Sequence, residues 1–186
     1  SLKAVQHPGD LEGCQALILP GVGAFDPAMD RLEATGLIPK LIAWNKADRP
    51  LLGICLGLQL LFESSEEGQR KGLGLLPGRV KQLPKEQGER IPHMGWGRLQ
   101  IDRPSPLLPD PSSAEWMYFV HSFAAVPEDT QDRAASVEFG SGHATAAVWR
   151  KRLGACQFHP EKSALTGQHL LSRWLEWLHQ GAPLMP

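Results

Sequence analysis

The chain has 186 residues, with 19 Lys and Arg, 20 Asp and Glu and a formal net charge of −1 at pH 7, and this length favours a single domain spanning residues 1–186. The near-neutral charge argues against a nucleic-acid binder, which needs a basic face, and no stretch reaches the ~18 uninterrupted apolar residues of a membrane helix. The first residues do not resemble a signal peptide, and the three cysteines fit neither a disulfide framework nor a zinc pattern, so we expect a cytoplasmic protein that holds no metal.

The first half of the chain alternates predicted strands with predicted helices. Apolar runs that end at Pro or Gly predict strands, and runs with helical spacing predict helices. The predicted strands are 2–7, 16–19 and 50–54, and the predicted helices are 26–34, 37–47 and 56–62. Asp26 is a candidate N-cap, and Pro27 suits the first helical position. This alternation indicates an α/β fold with a parallel sheet.

The second half of the chain predicts mainly short strands. The turns between them favour a small antiparallel extension of the main sheet. These predicted strands are 79–83, 97–101, 116–126, 134–139, 143–150 and 153–158. The last predicted element is an amphipathic helix over 164–179, which ends before Gly181. One predicted face of that helix is formed by Leu171, Trp174, Leu175 and Leu178, and Trp177 is also expected in or near the core.

The sequence Gly53-Ile54-Cys55-Leu56-Gly57 lies between a predicted strand and a predicted helix. It matches the thiol form of a nucleophile elbow, in which small flanking residues let the chain turn sharply and present the nucleophile. The N-terminus of the following helix would favour the thiolate form of Cys55. A buried structural cysteine is the alternative, and the pentapeptide alone leaves both open.

A second candidate is the pair of His159 and Glu161, which follows the last predicted strand. A cysteine nucleophile needs a base, and the base needs a group that orients it. In open α/β sheets such residues converge at the carboxyl ends of the strands, which would bring the pair to Cys55. On its own, a His-x-Glu pattern is more often a surface histidine.

A third candidate is the turn Gly21-Val22-Gly23, which follows the predicted strand 16–19. A glycine-rich turn at this place can direct backbone N–H groups at a developing oxyanion. An ordinary strand-to-helix turn is the alternative. A phosphate cradle fits poorly, because no G-x-x-x-x-G-K-[ST] pattern follows.

These three features, in this order, resemble the class I (triad) glutamine amidotransferases. The stretches that carry the resemblance are 17–29 (LILPGVGAFDPAM), 53–68 (GICLGLQLLFESSEEG), 90–99 (RIPHMGWGRL), 118–123 (YFVHSF) and 157–163 (QFHPEKS). GICLG and HPE are shared across the class, whereas SSEEG, PHMGW and HPEKS are more specific to glutaminase subunits that feed a cyclase in histidine biosynthesis. The resemblance implies a flavodoxin-like open, mostly parallel sheet with helices on both faces, and it implies no cofactor.

The resemblance also implies catalytic roles for individual residues. Cys55 would attack the side-chain amide of glutamine, His159 would act as base and then as acid, and Glu161 would orient His159. The backbone N–H groups of Val22 and Leu56 would form the oxyanion hole.

The same resemblance assigns residues to the substrate. Glutamine would be held by Gly23, Gln59, Glu67, Ser122 and Phe123. The charge of Glu67 suits the α-ammonium group of glutamine. The alternatives are a Gln59 side chain packed behind the elbow and a solvated loop charge at Glu67.

A partner surface is implied as well. It would consist of Pro92, His93, Met94 and Trp96, and it would face the cyclase subunit, a TIM barrel that forms a heterodimer with the glutaminase. Ammonia would pass through that barrel. A core Trp in an irregular turn is the alternative for this segment, and a metal site at His93 lacks partner ligands.

The chain departs from the family in two places. Family members have a further strand and helix before the strand that residues 2–7 match, so we expect this unit to be missing and strand edges to be exposed. Gly97 stands where members usually carry Asn, which we expect to weaken coupling to the partner.

The sequence is also compatible with other functions. One is another triad amidotransferase, such as the glutaminase of anthranilate synthase, and another is a γ-glutamyl hydrolase. A third is a non-catalytic, glutaminase-like binding module, against which the intact Cys55, His159 and Glu161 argue.

Overall fold

The computed structural model describes residues 1–86, 89–113 and 115–186. In these ranges the helices are α1 (Phe25–Ala34), α2 (Ile38–Lys46), α3 (Leu56–Leu60) and α4 (Ala164–His179). The strands are β1 (Leu17–Gly21), β2 (Leu51–Cys55), β3 (Ser64–Ser65), β4 (Gly78–Gln82), β5 (His93–Ile101), β6 (Trp116–His121), β7 (Phe123–Pro127), β8 (Arg133–Phe139), β9 (Gly142–Arg150) and β10 (Leu153–Cys156). None of these helices combines the length and the hydrophobicity that a membrane crossing requires.

The main sheet has the strand order β1-β2-β10-β9-β8-β5-β6, and β3-β4-β7 form a second, smaller sheet. Strands β1 and β10 pair with β2 in parallel, whereas β9, β8, β5 and β6 continue the sheet in antiparallel pairs. The α/β class and the antiparallel extension agree with the sequence prediction, but the main sheet is mixed and not mostly parallel. Links of two residues join β8 to β9 and β9 to β10, and links this short allow only antiparallel pairing.

Helices cover both faces of the main sheet, as predicted. Leu51 and Leu52 are adjacent on β2 and both are fully buried. Leu51 packs in an apolar cluster with residues of α1 and α2, whereas Leu52 packs in a cluster with residues of α4. Because neighbouring residues of a strand point to opposite faces, α1 and α2 lie on one side of the sheet and α4 on the other.

Helix α4 has the predicted bounds, but it buries a different set of residues. The buried residues of α4 are Gly167, Leu170, Trp174 and Trp177. Leu175, which was predicted on the core face, is 48% exposed, so the buried face is turned away from it. The expected core position of Trp174 and Trp177 is confirmed, and Gly181 ends the helix with a φ of +89°.

Two predicted strands differ from the structure. Residues 2–7 form no strand, because no other described strand pairs with them, and a short 3-10 turn follows at Pro8–Leu11. The predicted strand 116–126 is two strands: β6 pairs with β5 in the main sheet, and β7 pairs with β4 in the small sheet. The chain changes sheet at Ser122, and this change places Ser122 in the wall of a cavity.

Candidate active site

Strand β2 and helix α3 meet at Cys55 with no loop between them. Cys55 has a φ of 56° and a ψ of −113°, a conformation that costs a residue other than glycine on the order of 1–3 kcal/mol. The surrounding structure therefore holds the backbone in a strained turn. This is the geometry of a nucleophile elbow, with Cys55 at its apex.

Two glycines make room for this turn. A Cβ atom on Gly57 would lie 1.8 Å from the carbonyl oxygen of Leu19, and a Cβ atom on Gly53 would lie 3.0 Å from the backbone of Gly57. The backbone of the first turn of α3 thus lies directly against the backbone of strands β1 and β2. Only glycine fits at position 57, so this part of the elbow pattern has a packing cause.

The Cys55 thiol is buried, with 8% of the residue exposed. Burial raises the pKa of the thiol, and the hydrogen bond from the backbone N–H of Leu56 opposes this rise. The amide Nε2 of Gln157 also faces the sulfur, at 3.9 Å. Burial raises the pKa of Cys55 by more than the N-terminus of α3 lowers it. Cys55 therefore depends on a base to lose its proton.

His159 and Glu161 form the pair that the sequence predicts. Oε1 of Glu161 lies 2.7 Å from Nδ1 of His159, so a neutral ring donates its Nδ1 proton to the carboxylate and keeps Nε2 as an acceptor. His159 is 4% exposed and lines the same cavity as Cys55. Cys55 and His159 therefore line one cavity, and the Glu161 carboxylate is held against the imidazole ring of His159.

Strand β6 holds the backbone around His159 in place. The N–H of His159 donates to the carbonyl of Tyr118 at 2.9 Å. The hydroxyl of Ser163 accepts from the N–H of Tyr118 at 2.9 Å and donates to the carbonyl of His159 at 2.6 Å. The sequence offers one signal for Ser163, a serine at the start of a predicted helix, and that signal does not reveal the bridge to β6.

The cavity has a volume of about 370 Å³, within the range of small-molecule sites. The predicted residues that line it are Val22, Gly23, Cys55, Leu56, Gln59, Glu67, Pro92, Ser122, Phe123 and His159. Val120, His121 and Lys162 line it too and had not been singled out from the sequence. No cluster of His, Cys, Asp and Glu in the described ranges is arranged to bind a metal ion.

The turn that starts at Gly21 lies beside Cys55. Gly21 is the register partner of Cys55 in the parallel pairing of β1 with β2. Val22 and Gly23 follow at the wall of the cavity, and Gly23 has a φ of +98°, which glycine adopts without strain. This turn and the N–H of Leu56 therefore flank the same point in the cavity.

Gln59 lines the cavity and also makes hydrogen bonds within the protein. Its Nε2 donates to the carbonyl of Phe123 at 3.2 Å and to Oε1 of Gln157 at 3.1 Å. Gln157 is fully buried and donates in turn towards Cys55. The two glutamines form a buried polar layer behind the sulfur of Cys55, and no local sequence pattern indicates this position for Gln157.

Glu67 lines the cavity, and its carboxylate also binds the start of α1. Its Oε1 accepts a hydrogen bond of 2.5 Å from the backbone N–H of Phe25, the first residue of that helix. Asp26, the expected N-cap, lies instead within the first turn of α1. The Asp26 carboxylate accepts from the backbone N–H groups of Gln69 and Arg70. Both carboxylates thus hold the loop around Glu67 against α1.

Strand β5 presents two chemically different faces. Met94 and Trp96 are 62% and 50% exposed, and Trp116 on neighbouring β6 is 51% exposed; these three residues are the apolar patch. His93 points to the other face, where its ring stacks on Phe119 with 5.1 Å between centroids. Burial lowers the pKa of His93. The structure therefore places His93 away from the surface on which the sequence had placed it.

Gly97 lies inside the sheet, directly after the apolar patch. A Cβ atom there would lie 2.6 Å from Cγ2 of Val137 and 3.1 Å from the ring of Phe119. A larger side chain would have to displace both. This gives a packing reason for the glycine that departs from the resemblance.

Comparisons with known proteins agree with this geometry. Residues 3–176 match the family described as glutamine amidotransferase class-I. The chain is 61% identical over 180 residues to imidazole glycerol phosphate synthase subunit HisH 2 of Parasynechococcus marenigrum (strain WH8102), covering 97% of the chain and 85% of that relative. It is 62% identical over 182 residues to imidazole glycerol phosphate synthase subunit HisH of Synechococcus sp. (strain CC9605), covering 98% and 85% respectively.

Solved structures share the fold. A crystal structure of glutamine amidotransferase matches with a TM-score of 0.69 at 21% identity, covering 94% of this chain and 84% of that one. The structure of PurLQS from Thermotoga maritima matches with a TM-score of 0.69 at 18% identity, covering 90% and 82%. At these identities the likeness shows the fold alone.

Proposed function

The chain belongs to the class-I glutamine amidotransferase family, and from this we propose that it is the glutaminase subunit of an imidazole glycerol phosphate synthase. It hydrolyses L-glutamine to glutamate and ammonia, and the ammonia passes to a cyclase subunit for histidine biosynthesis. The observation that carries the proposal is the grouping of the strained Cys55 with the His159–Glu161 pair around one cavity.

The first half of the reaction forms a thioester on Cys55. Nε2 of His159 takes the thiol proton, and the thiolate attacks the side-chain amide carbon of glutamine. His159 then returns the proton to the amide nitrogen as the carbon–nitrogen bond breaks, so ammonia leaves and the γ-glutamyl group stays on sulfur.

Water completes the second half of the reaction. His159 takes a proton from water, the resulting hydroxide attacks the thioester carbonyl, and the carbon–sulfur bond breaks. The proton returns to Cys55 as glutamate leaves. Glu161, at 2.7 Å from Nδ1, stabilises the imidazolium that exists between the two proton transfers.

Backbone N–H groups stabilise the oxyanion that forms in each half. Leu56 directly follows Cys55 as the first residue of α3, and Val22 follows Gly21, the register partner of Cys55. We assign the N–H groups of Leu56 and Val22 to the oxyanion hole. One such donor contributes ~10²–10³ in rate.

The substrate occupies the cavity of about 370 Å³, in contact with Gly23, Ser122 and Phe123. The Nε2 atom of Gln59 is bonded within the protein, which makes Oε1 the atom that accepts from glutamine. One oxygen of the Glu67 carboxylate binds α1, and the other binds the α-ammonium group of the substrate.

The cyclase subunit covers the apolar patch. Large apolar side chains grouped on one pair of strands suit a protein interface. Pro92 lines the cavity and precedes β5, so the patch lies next to the place where ammonia is released. The partner is a TIM barrel in a cytoplasmic heterodimer, as the resemblance implies, and transfer inside the complex spares ammonia from protonation.

The test compares two nitrogen sources in the complex of this chain with a cyclase subunit. Cys55→Ala is expected to abolish product formation from glutamine and to leave product formation from added ammonium salt unchanged. Cys14→Ala, which removes a thiol outside the cavity lining, is the matched control and should retain both activities. If Cys55→Ala lost product formation from glutamine and from ammonium salt equally, this would contradict the proposal that Cys55 acts only in glutamine hydrolysis. Activation by an anthranilate synthase subunit instead of the cyclase would favour the other amidotransferase.

A further inference from the structure

A chain of hydrogen bonds begins at two histidines that the proposed reaction does not use. His93 on β5 and His121 on β6 are register partners, and Nδ1 of His93 lies 3.2 Å from Nε2 of His121. On the other side of its ring, Nδ1 of His121 lies 2.8 Å from the carbonyl oxygen of Phe123. His121 is 5% exposed, and both of its contacts are partly shielded from solvent.

The protonation of His121 follows from its two partners. A carbonyl oxygen only accepts, so Nδ1 of His121 carries a proton that it donates to Phe123. Burial lowers the pKa of His121 to about 4, so the ring is neutral near pH 7. Its Nε2 therefore accepts from Nδ1 of His93, and the two hydrogen bonds together fix the orientation of the ring.

From the carbonyl of Phe123 the chain of hydrogen bonds continues to the nucleophile. That carbonyl also accepts from Gln59 at 3.2 Å, and Gln59 donates to Gln157 at 3.1 Å. Nε2 of Gln157 then faces Sγ of Cys55 at 3.9 Å. An N–H group directed at sulfur stabilises the thiolate more than the thiol.

We infer that His93 and His121 are positioning residues for Cys55. They hold the carbonyl of Phe123, and that carbonyl orients the two buried glutamine amides behind the sulfur. His93 does not line the cavity, so it acts through His121 and not on the substrate. The kinetic part of the following test rests on the proposed function, whereas its thiol part rests on the geometry alone.

Two substitutions of His93 separate its hydrogen bond from its packing. His93→Phe keeps a ring against Phe119 and removes the donor to His121. His93→Asn keeps a donor near the position of Nδ1 and removes most of the ring. If the hydrogen bond carries the positioning role, His93→Phe should disturb the position of His121 and His93→Asn should restore it.

The thiol readout is the alkylation of the full chain by iodoacetamide at pH 7, resolved by mass spectrometry of the peptide that contains Cys55. His93→Phe is expected to slow this reaction about tenfold, the effect of one lost hydrogen bond to a buried group, and His93→Asn is expected to restore it. The peptide that contains Cys14 is the internal control, and its alkylation rate should stay the same in all variants.

The kinetic readout is glutamine hydrolysis by the chain in complex with a cyclase subunit and a ligand of the cyclase site. His93→Phe is expected to lower kcat about tenfold while KM for glutamine stays near the wild-type value. The reason is that the hydrogen bonds end at the nucleophile and not at the substrate. His93→Asn should again restore the rate.

The remaining outcomes distinguish failure of this inference from failure of the proposed function. Equal alkylation rates in wild type and His93→Phe overturn the inference, and so do equal losses in His93→Phe and His93→Asn, because packing would then be the cause. A wild-type complex that does not hydrolyse glutamine counts against the proposed function, and the alkylation result still decides the inference. If His93→Phe does not fold, two variants of His121 are compared instead. His121→Asn keeps the donor to Phe123, whereas His121→Gln does not. Equal alkylation rates of Cys55 in these two variants would also overturn the inference.

Discussion

Acid acts on the fold through His121, because this residue is buried and hydrogen-bonded on both sides of its ring. Burial lowers the pKa of His121 from the ordinary value of 6.5 to about 4, and charges on His93 and His159 act in the same direction. Between these pH values the unfolded chain binds a proton that the folded chain does not bind. The stability of the fold is therefore complete above pH 6.5 and decreases as the pH falls towards 4.

The size of the effect follows from the two pKa values. A pKa that falls from 6.5 to about 4, at about 1.4 kcal/mol for each unit, corresponds to a loss of about 3 kcal/mol in the free energy of unfolding at pH 4. This is a large part of the ~5–15 kcal/mol that stabilises a typical domain. Burial lowers the pKa of His93 too, so that residue adds a loss in the same pH range.

The assay is urea unfolding followed by circular dichroism at pH 7, 6, 5 and 4, on wild type and His121→Asn. Asn does not titrate and keeps a donor to Phe123, and the other titrating groups affect both proteins alike. The difference in the free energy of unfolding should shift by about 3 kcal/mol in favour of the variant between pH 7 and pH 4. His143→Asn, at an exposed position of β9, is the matched control and should follow wild type.

The result that would refute this reasoning is a difference between wild type and His121→Asn that stays constant from pH 7 to pH 4. The protonation of His121 would then cost the fold nothing, and the ring could not be held neutral by its surroundings.

Two further substitutions test the packing around the site. Gly57→Ala would place a Cβ atom 1.8 Å from the carbonyl oxygen of Leu19 and should lower the free energy of unfolding by about 3 kcal/mol or more; Gly142→Ala, which meets no atom within 4 Å, should change it by less than about 0.5 kcal/mol in the same urea assay. Ser163→Ala should lower the free energy of unfolding by about 1 kcal/mol, because it leaves the partly buried N–H of Tyr118 without its acceptor. It should also lower kcat while KM changes little, because His159 loses its backbone support; an unchanged kcat in steady-state assays would contradict that role.

The sharp turn at Cys55 and the pairing of His159 with Glu161 could be predicted because their signals are local. The glycines around Cys55 encode a sharp turn within five residues, and His159 and Glu161 lie two residues apart at the end of a strand. The sequence also placed helix α4 at its observed bounds. The burial of Trp177 and the exposure of Leu175 in that helix depend on which neighbours pack against it, and helical spacing does not contain that information.

Other parts of the site depend on contacts between distant segments, and no local pattern records these. Gln157, Ser163 and His121 act through hydrogen bonds to residues on other strands or helices. The mixed sheet likewise follows from two-residue links that read only as turns in the sequence. The break at Ser122 was missed because the apolar pattern continues through it while the chain changes its pairing partner.

The apolar patch also has an optical consequence. The chain has six tryptophans; those that are at most 5% exposed are Trp44, Trp149, Trp174 and Trp177, and those that are about half exposed are Trp96 and Trp116. Iodide can quench the emission of the two exposed indoles, whereas the four buried ones give a constant background. A partner that covers the patch excludes water and quencher from both exposed indoles, so it blue-shifts their emission and reduces quenching. Trp96 and Trp116 can thus report the binding of a partner at the apolar patch without any added fluorescent label.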